Sequence, residues 1–231
     1  NSTGDTNTSD STNTIKDVLN NGDVSAKLDT TTNPNMPYYT AGNVGGVVGS
    51  AVNTDISNAT NKENDVRGAH NVGGIVGYFE DGIITKAINN GGDIMATGAR
   101  NGNNIVKEFV RYHSGVGGNE SFIVGNIGGI VGYMYGNNTY INTSANRGTV
   151  HTEDIVDESN ILDTSEAANV GGIVGKIDRE GTKTISEIKN DNSSAAINSS
   201  YNTGNVRGYT GVGGVAGMMY NGEIVGSYNI G

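Results

Sequence analysis

Cysteine and tryptophan are absent, and proline occurs only twice in 231 residues. Without cysteine there is no disulfide framework and no thiol nucleophile. So little proline, with 37 glycines that follow no three-residue period, excludes a collagen-like triple helix. No apolar run reaches 18 residues, so no helical membrane span is expected. Cations are scarce as well. Fourteen Lys and Arg stand against 24 Asp and Glu, a net charge of −10. Such a chain lacks the basic face that nucleic acid requires. The charge reads first as a solubility device, with calcium binding as the alternative. There is no signal peptide and no initiating methionine, so the chain, Asn1 to Gly231, is expected to be an excerpt of a longer protein.

What is abundant points to β-structure. Glycine in a helix interior costs about 1 kcal/mol relative to alanine. The apolar runs here are short, β-branched and separated by Gly, Asn, Ser and Thr, as in all-β chains with many turns. The dominant signal is repetition. One block reads Asn43-Val44-Gly45-Gly46-Val47-Val48-Gly49 and returns at 71–77, 126–132 and 169–175. A fifth copy, at 211–217, has Gly211 in place of the Asn. A second block, Ile-x-x-small-x-Asn, follows each copy. Its aliphatic positions are Ile56, Ile84, Ile141, Ile197 and Ile224, and its amide positions are Asn61, Asn89, Asn146, Asn202 and Asn229. A sixth copy, Ile15 to Asn20, opens the series. Successive Ile positions are 41, 28, 57, 56 and 27 residues apart. The two gaps near twice the basic unit hold either insertions or decayed extra units, and Gly115-Val116-Gly117-Gly118 resembles a worn first block.

A run of this kind cannot bury its apolar face alone, and stacked copies solve the problem together. The expectation is an all-β fold: a parallel β-helix or β-solenoid, right-handed or closely related, with loop insertions near 99–125, 151–168 and 178–195. Equivalent Ile and Val would pile into aliphatic columns. Equivalent Asn would fall about 4.8 Å apart, the spacing of paired strands, and bond up and down as an amide ladder or turn the corners. That assigns structural roles to Asn20, Asn61, Asn89, Asn146, Asn202 and Asn229, and to Ile56, Ile84, Ile141, Ile197 and Ile224. The paired glycines would allow positive φ or close backbone packing. Residues 1–14, nearly all Ser, Thr, Asn and Asp, are expected to form a disordered linker ahead of a repeat region at 15–231. Residues 29–41 hold both prolines and read as a loop.

The two blocks together resemble the GLUG motif, named for Gly-Leu-uncharged-Gly. Gly46-Val47-Val48-Gly49 and its counterparts carry the core, with Val or Ile where the name has Leu. Ser200-Tyr201-Asn202-Thr203-Gly204 and Ser227-Tyr228-Asn229-Ile230-Gly231 are similar to the family's Ser-Tyr-Asn-x-Gly ending. The resemblance covers residues 42–231 and part of 15–24. It implies a parent that is a large secreted or surface-anchored bacterial protein, such as an immunoglobulin A peptidase or an adhesin. It implies a cell-wall or secreted location and leaves open what the repeats bind.

Catalytic signatures are lacking. His70, His113 and His151 include no His-Glu-x-x-His pair, so a zinc-peptidase site is not expected. No serine sits in Gly-x-Ser-x-Gly. Ser114 and His113 are adjacent, and on a strand they would point to opposite faces. The Gly-Gly blocks lack the Gly-Lys-Ser/Thr ending of a phosphate loop. No EF-hand or Gly-Gly-x-Gly-x-Asp calcium pattern occurs. The acidic groups Glu63-Asp65, Glu80-Asp81 and Glu153-Asp154-Asp157-Glu158 read as solvated loops or, alternatively, calcium ligands. Asp178-Arg179-Glu180 is the one cluster suggesting a carbohydrate-active β-helix enzyme. Tyrosine is the best binding signal, with 11 residues against three Phe. Tyr78, Tyr133, Tyr135 and Tyr220 follow the glycine block at nearly equal phase. They would offer flat faces to a host glycan or host protein, or only stack between repeats. The expected function is therefore a non-catalytic structural or presentation module without a cofactor. A glycan- or protein-binding adhesin module and a β-helix enzyme are the alternatives.

Overall fold

The computed structural model describes residues 12–26, 42–68, 70–96, 100–101, 104–105, 122–152, 166–178, 196–208 and 211–231. Among these residues every regular element is a strand, and no helix is long and apolar enough to cross a membrane. The strands form three large parallel sheets, of 5, 13 and 5 strands, and one small hairpin. The first sheet takes the Asn-Val-Gly part of each repeat: Asn43–Gly45, Asn71–Gly73, Phe122–Gly128, Glu166–Gly171 and Val212–Gly213. The 13-stranded sheet takes the rest of the first block and all of the second, from Asn13–Asn20 to Tyr228–Asn229. The third sheet takes the trailing Val or Ile: Val24–Ser25, Val66–Gly68, Asp93–Ala96, Thr149–Thr152 and Val206–Arg207.

Pairing joins like positions of successive repeats. Ile15 pairs with Ile56, Ile56 with Ile84, Ile84 with Ile141, Ile141 with Ile197, and Ile197 with Ile224. The long gaps add no further unit to this column, because Ile84 meets Ile141 directly and Ile141 meets Ile197. In the first of those gaps the described part of the insert is an antiparallel hairpin, Arg100–Asn101 with Asn104–Ile105, and the start of the first-sheet strand Phe122–Gly128. The worn block at 115–118, the loop at 29–41 and most of the three expected inserts lie outside the described residues. So do residues 1–11 of the expected linker. Its boundary at residue 14 is too late, however, because Asn13 and Thr14 already pair with Thr54 and Asp55.

Ile56, Ile84, Ile141 and Ile197 are fully buried in one apolar cluster with Phe79, Met134 and Ile177. A second cluster joins the first and third sheets through Val44, Val72, Ile127, Val170, Val66, Ile94 and Val150. Ile224 departs from its expected place inside. It is 37% exposed, because it ends its column and no described repeat lies beyond it.

The amide column is continuous. The Nδ2 of Asn20 donates to Oδ1 of Asn61 (2.7 Å), Asn61 to Asn89 (2.9 Å), Asn89 to Asn146 (2.7 Å), Asn146 to Asn202 (2.6 Å) and Asn202 to Asn229 (2.6 Å). Local turns set its direction. The amides of Gly22, Gly148 and Gly204 donate to Oδ1 of Asn20, Asn146 and Asn202, while Nδ2 of the same asparagines donates to the carbonyls of those glycines. Each side chain is thereby locked with its donor facing the next repeat. Asn61, Asn89, Asn146 and Asn202 are fully buried, Asn20 is half-buried and Asn229 is exposed at the last repeat.

These asparagines do not turn the corners, since none of them has positive φ. That task falls two residues after each Ile, to Asp17, Asn58, Lys86, Thr143, Ser199 and Gly226, all left-handed with φ between 47° and 57°. A second ladder, of opposite polarity, runs through the first block. Asn169 donates to Asn126, Asn126 to Asn71, and Asn71 to Asn43, at 2.7–2.8 Å.

The glycine pairs act by close packing, because none of them has positive φ. A Cβ on the second glycine would strike the first amide ladder: Gly74 at 2.8 Å from Cγ of Asn89, and Gly214 at 2.6 Å from Cγ of Asn229. The repeated Gly and the repeated Asn are thus two halves of one contact.

Candidate functional site

Strand alternation creates the outward face on which the tyrosines stand. In Val76–Thr85 the Phe79 ring is fully buried, and the flanking Tyr78 and Glu80 are half-exposed. Register makes two outward rows of these positions. One row runs Ser50, Tyr78, Tyr133, Lys176 and Met218. The other runs Val52, Glu80, Tyr135, Asp178 and Tyr220. Tyr78 and Tyr133 are therefore true equivalents, while Tyr135 and Tyr220 belong to the neighbouring row. The single phase read from sequence resolves into two, set one and three residues past the last glycine of the block.

The rows interlock. The rings of Tyr78 and Tyr133 meet edge to face at 5.5 Å, and those of Tyr133 and Tyr135 at 6.1 Å. Lys176 Nζ lies 5.0 Å from the centre of the Tyr133 ring and 5.6 Å from that of Tyr220. Its charge is met by Asp178 at 3.0 Å. The Tyr78 hydroxyl donates to Glu80 (2.6 Å) and the Tyr133 hydroxyl to Asp178 (3.3 Å). Lys176 was not singled out from sequence, and Glu80 and Asp178 were singled out only in acidic clusters, not as partners of the tyrosines. Their offset from the glycine block, the same as that of the tyrosines, was the signal that would have found them. Of the candidate cluster Asp178-Arg179-Glu180, only Asp178 is among the described residues, and it is engaged by Lys176 and Tyr133.

Burial holds the phenols of Tyr78 and Tyr133 well above the ordinary tyrosine value, and the carboxylates of Glu80 and Asp178 add to the effect. A folded state that keeps its protons longer than the unfolded chain loses stability as pH rises past the unfolded value, about 10. The urea midpoint should accordingly fall between pH 9 and pH 11, by about half as much in a Tyr78→Phe, Tyr133→Phe variant. An identical fall in parent and variant would remove these phenols from the account.

A second aromatic feature lies where the repeats end. Tyr201 and Tyr228 stack face to face at 5.4 Å and 9°, and Arg147 Nη2 donates to the Tyr201 hydroxyl at 3.2 Å. His70 is half-buried before the first-sheet strand Asn71–Gly73. His151 is in the third sheet, 3.9 Å from Asp93, and His113 lies outside the described residues. Asp65 accepts the Asp93 amide and pairs with Arg67, and Asp81 accepts the Asn138 amide. Glu153, Asp154, Asp157 and Glu158 lie outside the described residues. Among the described residues no three His, Cys, Asp or Glu side chains gather into a metal-binding group.

The chemistry of the tyrosine face is that of contact: flat rings, one cation and two carboxylates, all already paired with one another. Comparison with family models, with curated proteins and with solved structures finds no match to this chain.

Proposed function

We propose that this chain is a β-solenoid of GLUG type, serving as a non-catalytic structural and presentation module of a large secreted or surface-anchored bacterial protein. The observation that carries the reading is the continuity of the Ile and Asn columns through six successive repeats. Stacking of this kind gives a rod whose stability is a sum over neighbouring units. Such a rod sets a distance and displays its loops, and it needs no reacting group. The block and ending residues resemble those of the GLUG family, which points to a bacterial surface parent.

A second reading, a glycan- or host-protein-binding adhesin module, is favoured by one observation: the outward clustering of Tyr78, Tyr133, Tyr135 and Tyr220 around Lys176. Screening the purified protein on glycan and host-protein arrays, alongside polysaccharide hydrolase and lyase assays, separates the readings. The module reading expects no ligand dependent on this face and no turnover. A ligand lost on Tyr133→Ala with unchanged melting would establish the adhesin reading instead, and polysaccharide cleavage would establish the enzyme.

A further inference from the structure

The residue after each ladder asparagine leads the chain toward the third sheet. Asn21, Lys62, Asn90 and Arg147 hold that place in the first four repeats. Two of them, Asn21 and Asn90, precede a glycine. An Asn-Gly pair is chemically exposed, because no side chain shields the glycine amide from the carboxamide before it.

The two pairs stand in different surroundings. At Asn21 the following amide is tied down, since Gly22 donates to Oδ1 of Asn20 at 3.3 Å. Lys62, in the neighbouring repeat, makes no hydrogen bond to the Asn21 side chain. The turn at Asn90 is longer. Val24 and Ile94 both register with Val66, yet Val24 follows Asn20 by four residues and Ile94 follows Asn89 by five. The extra residue places Gly91 at φ 117° and Gly92 at φ 80°, and among the described residues the Gly91 amide has no hydrogen-bond acceptor. The Asn90 amide, in contrast, is fixed on the Asn61 carbonyl at 2.9 Å. Across the repeat boundary Arg147 Nη1 donates to Oδ1 of Asn90 at 2.8 Å, while its Nη2 is held by the Tyr201 hydroxyl. A free nucleophile and a polarised carbonyl thus meet at one residue.

We propose that Asn90 is a site of spontaneous deamidation, promoted by Arg147. The Gly91 nitrogen gives its proton to water and bonds to Cγ of Asn90. The charge that develops on Oδ1 falls on a guanidinium already in place. The Cγ–Nδ2 bond then breaks, Nδ2 takes up a proton and leaves as ammonia, and a succinimide ring remains. Water opens either carbonyl of that ring, giving aspartate or isoaspartate at position 90. One water is consumed and one ammonia released, with no change of oxidation state. Isoaspartate would add a backbone methylene between the Asn90–Asn61 hydrogen bond and the bond from the Thr149 amide to the Gly92 carbonyl.

The test ages the full chain at neutral pH below its melting temperature. Peptide mass spectrometry follows conversion of amide to acid, and an isoaspartate methyltransferase assay identifies the product. Asn90 should convert about tenfold or more faster than Asn21, a comparison that needs no variant. In urea, where both pairs lose their surroundings, the two rates should converge. Arg147 is exposed, so Arg147→Met should fold, as circular dichroism melting checks. It should slow Asn90 by about threefold or more and leave Asn21 unchanged. Equal rates at the two asparagines in the folded chain would overturn the proposal. So would an undiminished rate at Asn90 in folded Arg147→Met.

Discussion

Ile84→Asp should lower the melting temperature of the chain by at least about 6 °C, and Ile224→Asp by less than about 3 °C. Ile84 is fully buried between Ile56 and Ile141, so a carboxylate there has apolar neighbours above and below. Leaving a charge unpaired in an interior costs roughly 3–5 kcal/mol. For a domain of this size each kcal/mol corresponds to about 2–4 °C. Ile224 has the same sequence context and the same column, yet more than a third of it is already exposed, so its carboxylate stays hydrated. The contrast tests position in the stack rather than residue type. Circular dichroism melting of both variants decides it, and equal losses would mean that neighbouring repeats do not supply each other's interior.

The sequence carries the parts of this architecture that depend on residue identity. An Ile column and an Asn ladder need the same side chain at every level, so both leave a periodic trace, and both can be placed before any coordinate. The corners leave none. Asp17, Asn58, Lys86, Thr143, Ser199 and Gly226 share one backbone conformation and no common chemistry. Thr143, β-branched and left-handed, would not be chosen on propensity at all. Here the ladders on either side fix the backbone, and the side chain has only to tolerate it. The ladder through Asn43, Asn71, Asn126 and Asn169 repeats letter by letter in the first block, but nothing in one dimension says which way an amide faces. The tyrosine face was half legible. Its two rows sit only two residues apart, a difference that matters once strand register fixes which ring meets which.

Replacing Gly128 by Ala should destabilise the protein by about 3 kcal/mol, the upper part of the overpacking range. Its backbone argues the other way. Gly128 lies in a strand without positive φ, and Gly→Ala at a compatible position usually stabilises by about 0.4–1 kcal/mol through the unfolded chain. The added methyl has nowhere to go. It would collide with the Val131 carbonyl of its own repeat and come within 2.7 Å of the Gly175 nitrogen and 2.8 Å of the Ile173 oxygen of the next. That oxygen accepts from both Ile130 and Val131 at 3.0 Å, so the obstacle is the hydrogen-bonded backbone between repeats rather than a movable side chain. Relief would require parting two repeats or breaking those bonds, and parting them also strains the Asn89–Asn146–Asn202 ladder alongside. Gly22→Ala is the control, because its added methyl meets nothing within 4 Å. Urea unfolding of the two variants should give a large loss for Gly128→Ala and a change within about 0.5 kcal/mol for Gly22→Ala, as for surface sites in general. A neutral or stabilising Gly128→Ala would mean that the repeats are spaced more widely than their paired glycines require.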